Sequence, residues 1–245
     1  MRAFRFILAA LILLAAFGLP RLARTVEGTT DTEGYPVEEM KAFLLSRDYP
    51  SDYLDALIPP QIAVLYETAR DKDAYFYGFM PAKASHANTS RGEIPADELD
   101  VTAAVSYCPI RADGAAYVGE FLVSVCYNWE KLPVIRGRDT ITVNWDSSVL
   151  KYGGDQNFTA YDYFRHPGSS QWETYKTWKQ PNALGQGSVR IDTYLDSGGY
   201  IDSGTMWGYA TGLAGAVNIS LDPNGMLSLK TEAVDPAVIH AVYTH

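Results

Sequence analysis

Apolar and polar side chains alternate one by one along much of this chain. Val101, Ala103, Val105 and Tyr107 interleave with Thr102, Ala104, Ser106 and Cys108. Tyr117, Phe121, Val123, Val125 and Tyr127 interleave with Glu120, Ser124 and Asn128. A period of two puts successive side chains on opposite faces of a strand. Arg111-Ala112-Asp113-Gly114 separates the runs and predicts a turn, hence a hairpin with Val105 opposite Phe121. Further strands are predicted over Tyr75–Met80, Asp139–Trp145, Val189–Leu195, Tyr200–Thr211, Val217–Leu221 and Val238–Tyr243. Asp222-Pro223-Asn224-Gly225 is the strongest turn signal, with Leu227 and Leu229 returning from it. Many short alternating strands with Gly-rich turns and no intervening helices predict a mainly β protein, an antiparallel β-sandwich over residues 74–245.

The period differs before residue 74. Val37, Met40 and Leu44 share one helical face, with Phe43 beside it. Pro36 suits a first helical turn, with Glu38 and Glu39 at the positive end of the dipole. Ser51 is the expected cap of a second helix carrying Tyr53, Leu54 and Leu57. Pro59-Pro60 resets the chain before a third stripe of Ile62, Leu65, Tyr66 and Ala69. Residues 35–73 thus predict about three short helices. Such short helices bury little alone and are expected to pack on the sandwich.

Upstream, Arg2 and Arg5 precede an unbroken apolar run, Phe6–Leu19, closed by Pro20. That is the layout of a signal peptide. As a helix the run spans about 21 Å at roughly 1.5 Å per residue, against a hydrocarbon core of about 30 Å. Ala16-Phe17-Gly18 is the best cleavage site, so residues 1–18 read as a cleaved signal or a retained N-terminal anchor. Residues 19–34, polar and Gly/Thr-rich towards their end, read as a linker. The expected location is extracytoplasmic, secreted or held at the cytoplasmic membrane by this segment alone.

Charge narrows the partners. The 245 residues carry 20 Lys+Arg and 29 Asp+Glu, a net charge of −9. A nucleic-acid binder needs a basic stripe to displace counterions, and no Lys/Arg run occurs, so no nucleic-acid partner is expected. The 47% hydrophobic and 13% aromatic content excludes general disorder, and 17 tyrosines favour strands.

Two stretches carry a resemblance. Val37-Glu-Glu-Met-Lys-Ala-Phe-Leu-Leu-Ser-Arg-Asp-Tyr-Pro-Ser-Asp-Tyr-Leu-Asp-Ala-Leu57 resembles a helical segment that follows the signal peptide in uncharacterised exported proteins of Gram-positive bacteria. Trp129-Glu-Lys-Leu-Pro-Val-Ile-Arg-Gly-Arg-Asp139, leading into Ile141-Thr-Val-Asn-Trp145, resembles a strand connection in the same kind of protein. The resemblance covers under a fifth of the chain. It implies an extracytoplasmic protein and transfers no activity and no catalytic residue.

Candidate chemistry is sparse. Asp196-Ser197-Gly198-Gly199 echoes the nucleophile loop of chymotrypsin-like proteases. Leu195 and Tyr200 stand where that motif has Gly and Pro, and His86 lies in no matching block, so no catalytic residue is assigned. His86, His166, His240 and His245 show no ligand spacing, and Asp192, Asp196 and Asp202 read as turn residues, so neither a metal nor a cofactor is expected. In Ser169–Lys179 the rings of Trp172, Tyr175 and Trp178 interleave with Glu173, Thr174, Lys176 and Thr177. Read as a strand, Trp172 and Trp178 share a face; read as a helix, the three form a stripe. Either they pack on the sandwich or they form an exposed platform for stacking on a sugar or another apolar surface. Trp129, Trp145 and Trp207 sit in or beside alternating strands and are expected in the core. Cys108 and Cys126 lie too far apart along the expected hairpin for a disulfide, so both thiols are expected free and half-buried. The leading expectation is an exported, non-catalytic binding or cell-envelope module contacting a glycan or cell-surface partner through Trp172, Tyr175 and Trp178. The alternative is a secreted hydrolase of unassigned chemistry.

Overall fold

A computed structural model of the chain describes residues 35–86, 94–110, 118–133, 138–194, 201–202, 205–206, 210–224 and 234–245. The apolar N-terminal run, the Arg111–Gly114 and Gly225–Leu229 turn residues, Ser197 and Trp207 lie outside them. Among the described residues no helix is long and apolar enough to cross a membrane.

Among the described residues three helices come first: α1 (Val37–Leu45), α2 (Ser51–Ala56) and α3 (Pro59–Lys72). Pro36 and Pro50 sit just ahead of α1 and α2, where their fixed φ suits entry into a helix. Ser51 is therefore the first helical residue of α2 and makes no side-chain cap, unlike the expected arrangement. Pro59 opens α3, and Asp73 ends it in the left-handed conformation.

The strands form two packed sheets. The first runs in the order β1 (Tyr75–Phe79), β3 (Leu99–Ile110), β4 (Val118–Trp129), β13 (Gly212–Pro223), β7 (Thr159–Arg165) and β8 (Trp172–Trp178), with β6 (Leu150–Tyr152) on the far part of β13. The second runs β2 (Ala82–Ser85), β14 (Ile239–Thr244), β5 (Arg138–Trp145), β10 (Ser188–Tyr194) and β9 (Ala183–Gly185). A two-stranded piece pairs β11 (Ile201–Asp202) with β12 (Thr205–Met206). Neighbours pair antiparallel in both sheets, except that β2 lies parallel to β14. The predicted β-sandwich is therefore observed, with one parallel pair.

The expected hairpin exists as β3–β4, in a register two residues from the expected one: Val105 faces Val123, not Phe121. A shift of two leaves every side chain on its expected face. Val105, Phe121, Val123, Val125 and Tyr127 meet Ile141, Val143, Val189, Ile191 and Tyr243 between the sheets. The other face carries small residues, Ala104, Cys108, Cys126, Ala214 and Ala216, on which Leu44, Tyr53, Leu54, Ile62 and Leu65 of the helices pack. The molecule is thus three layers deep, and small side chains let the helices approach the sheet. Both cysteines lie under the helices and are free. They are 1% and 4% exposed, fully buried rather than half-buried, because the helical layer covers that face. Cys108 faces Glu120, and Cys126 lies six positions beyond it, about 20 Å at roughly 3.3 Å per residue.

Sequence periodicity missed part of the first sheet. β13 begins at Gly212 rather than Val217, because Gly-Leu-Ala-Gly-Ala has too little side-chain contrast to register as alternation. Nor does the sequence pattern predict a strand over Thr159–Arg165, which forms β7.

Candidate functional site

Among the described residues β8 lies at the edge of the first sheet, paired only to β7 in the strand order. Five consecutive residues, Glu173 to Thr177, are exposed, and Trp172 and Trp178 are half-buried. The Trp172–Trp178 segment is therefore a strand, and it has a bulge. Tyr163 faces Thr174 and Asp162 faces Lys176, leaving Tyr175 as the extra residue. A bulge inserts one position into the period of two. Trp172 and Trp178 accordingly fall on opposite faces, not on the shared face expected of a regular strand. Trp172 packs on the helical side and Trp178 on the core between the sheets.

Each indole has a cation beside it. The Arg165 guanidinium lies 5.1 Å from the Trp172 ring centre, and Lys176 Nζ lies 4.5 Å from that of Trp178. Trp172 also leans across Gly212, where a Cβ would come within 2.7 Å of its ring. Tyr175 is 36% exposed, with its ring edge-on to Phe164 at 6.1 Å. Phe164 in turn meets His166, whose Nε2 lies 3.6 Å from Glu173 Oε1. The three ring residues named from the sequence therefore share one strand but wrap both sides of it. Tyr175 and Trp178 border the inter-sheet side, and Trp172 the helical side. The other expected core tryptophans within the described residues, Trp129 and Trp145, are buried.

Inside the sandwich lies a polar chain that the sequence pattern did not reveal. Tyr127 and Asp162 flank Gly215 on either side in the ladder. The Tyr127 ring crosses that glycine, where a Cβ would meet it at 2.3 Å, and its hydroxyl donates to Asp162 Oδ1 at 2.5 Å. The Tyr127 ring packs on Tyr243 with centres 5.0 Å apart. Tyr243 donates to Asp139 Oδ2 at 2.5 Å and accepts from Trp129 Nε1 at 3.2 Å. Burial, then the facing carboxylates, push both phenols well above the ordinary tyrosine range. The outer end is His245, whose Nδ1 lies 2.9 Å from Asp139 Oδ1. A carboxyl oxygen accepts, so this contact is read with Nδ1 donating. His86 stands beside it, ring centres 5.8 Å apart.

A second polar group lies where α3 ends on the sheet. Lys72 Nζ sits 3.2 Å from Glu120 Oε2 and 2.9 Å from Asn157 Oδ1, and Ser220 donates to Glu120. Partial burial, then the nearby Glu120 charge, raise the Asp222 carboxyl above its ordinary range. Asp192, a turn residue by its sequence context, is instead a buried strand residue paired with Arg138 and Arg190.

No protein-family model matches this chain, and no curated protein matches it either. The site must be read from its own geometry. In chemical terms, β8 offers accessible rings, amphipathic Thr and Gln neighbours and nearby cations. The interior carboxylates Asp139 and Asp162 are bonded to tyrosines and shut away from solvent.

Proposed function

We propose that this protein is a non-catalytic binding module working outside the cytoplasmic membrane, which contacts a glycan or cell-surface partner along β8. The observation that carries the reading is an edge strand exposed at five successive positions, bearing Tyr175 and flanked by Trp172 and Trp178. Large rings held at a water interface favour ligands that pack on ring faces while presenting hydroxyls to polar neighbours. Pyranose C–H groups do the first, and Gln171, Glu173 and Lys176 serve the second. The bulge and charges on β8 discourage pairing with another strand, so side-chain contact is the favoured mode. With rings on both sides, the partner follows the strand edge rather than lying on one flat platform. The apolar run Phe6–Leu19 behind Arg2 and Arg5 supports the location.

The test is retention on insoluble cell-wall and plant polysaccharides. The wild-type chain is expected to be retained on at least one of them. Tyr175→Ala and Trp178→Ala should each weaken retention about tenfold or more, and Tyr175→Ala should change unfolding stability by less than about 0.5 kcal/mol. Failure to bind any polysaccharide, or retention indifferent to both substitutions, overturns the reading.

A further inference from the structure

His86 and His245 lie far apart in the sequence, yet the parallel pairing of β2 and β14 makes them neighbours. Thr244 faces Ser85 in that ladder, and His245 N–H donates to Ser85 O at 2.8 Å. The next residue on each strand is a histidine, and the two rings lie 5.8 Å apart at 61°. We infer that this pair is a binding site for a first-row transition-metal ion such as Zn²⁺ or Cu²⁺. Three observations converge on it.

The first is spacing. A metal–nitrogen bond of about 2.1 Å puts a ring centre roughly 3.2 Å from the ion, so two imidazoles on one ion have centres about 4.5 to 6.4 Å apart. The observed separation falls inside that span. The second is orientation. Asp139, only 2% exposed, accepts a hydrogen bond from His245 Nδ1, and its other oxygen accepts from Tyr243. Fixing the proton on Nδ1 leaves Nε2 with its lone pair directed away from the carboxylate. A carboxylate behind a histidine in this way sets the tautomer and raises the ligand's basicity at metal centres. The third is enclosure. The His245 ring packs edge-on against Trp129 at 5.1 Å, and its side chain is only 16% exposed, so little rotamer freedom remains to be lost on binding. Among the described residues no group of three or more His, Cys, Asp or Glu could hold a metal ion, and Asp139 stands behind His245, so the protein supplies two ligands. The ion therefore completes its shell with water or an exogenous ligand. Imidazole donors select Zn, Cu and Ni over Mg and Ca.

The test uses the full chain, freed of metal by a chelator and titrated separately with ZnCl2 by calorimetry and with CuSO4 by tryptophan emission. One ion should bind per chain, and Cu²⁺ should quench part of the emission saturably because Trp129 touches His245. His86→Ala, at a half-buried position outside the polar chain, should weaken binding at least tenfold and abolish the saturable quench. His245→Ala should do the same, and Asp139→Asn should weaken binding about ten- to a hundredfold. His240→Ala, an exposed position on β14, should leave it unchanged. If His245→Ala or Asp139→Asn unfolds the protein, the comparison of His86→Ala with His240→Ala decides. Absence of saturable binding, or binding that survives His86→Ala, overturns the inference.

Discussion

Gly215 has no side chain because the Tyr127 ring occupies that space on its way to Asp162. Gly215→Ala must therefore displace the ring or bend the central strand, and it leaves two buried polar groups without each other. The expected cost is about 1 to 3 kcal/mol for overpacking, read as a lower urea midpoint with unchanged slope. At the same scale, burial pushes the Cys108 and Cys126 thiols up to about 12 from 9.0. Unfolded thiols lose their protons first, so the stability these groups contribute is fully present below about pH 9 and is lost as pH rises toward 12. Tyr49, raised by burial to about 12 from 10.0, adds to the upper part of that window. Native protein at pH 8 should resist iodoacetamide at both thiols, and denaturant should release two alkylation sites. Rapid native alkylation would mean that the helical layer opens readily. Tyr127, Phe121 and Val125 were legible as core from alternation alone. Gly215 was not, because its reason lies in a tyrosine from another strand.

The start of α3 is tied to the sheet by a buried polar residue, as its end is by Lys72. Gln61 is 1% exposed. Its Nε2 donates to Tyr127 O at 3.1 Å and Gly215 O at 2.8 Å, while Oε1 accepts from Ile58 N–H at 3.1 Å. It thus caps the start of α3 and bridges β4 and β13 beneath it. Gln61→Leu keeps the volume and removes all three bonds. It should destabilise by about 1 to 3 kcal/mol and speed hydrogen exchange in α3 more than in β5 or β10. Equal exchange in both layers would show that the helices are not anchored here. The helices were legible from their apolar stripes, but not the bridge, since one Gln in a helical stripe carries no sign of its target. β8 shows the opposite limit. Its residues were legible as unusual, yet the faces of Trp172 and Trp178 were not, because the bulge at Tyr175 follows from the partner strand's register.

Across the whole molecule, the β-sandwich was legible because most of its strands show a period of two. The pairing of distant strands was not, since parallel β2–β14 contact arises from chain ends that no local pattern links. That pairing brings His86 to His245, and strand order alone places β8 at an edge. The account as a whole stands or falls on whether that edge is where a partner is met. The direct measurement is tryptophan emission of the folded chain during titration with soluble cell-wall and plant oligosaccharides, repeated on Trp172→Phe, Trp178→Phe and Trp145→Phe. The account predicts a saturable change with at least one saccharide, diminished in Trp172→Phe and Trp178→Phe and intact in Trp145→Phe, whose ring is buried in the core. No change with any saccharide, or a change that survives both β8 substitutions, would contradict it.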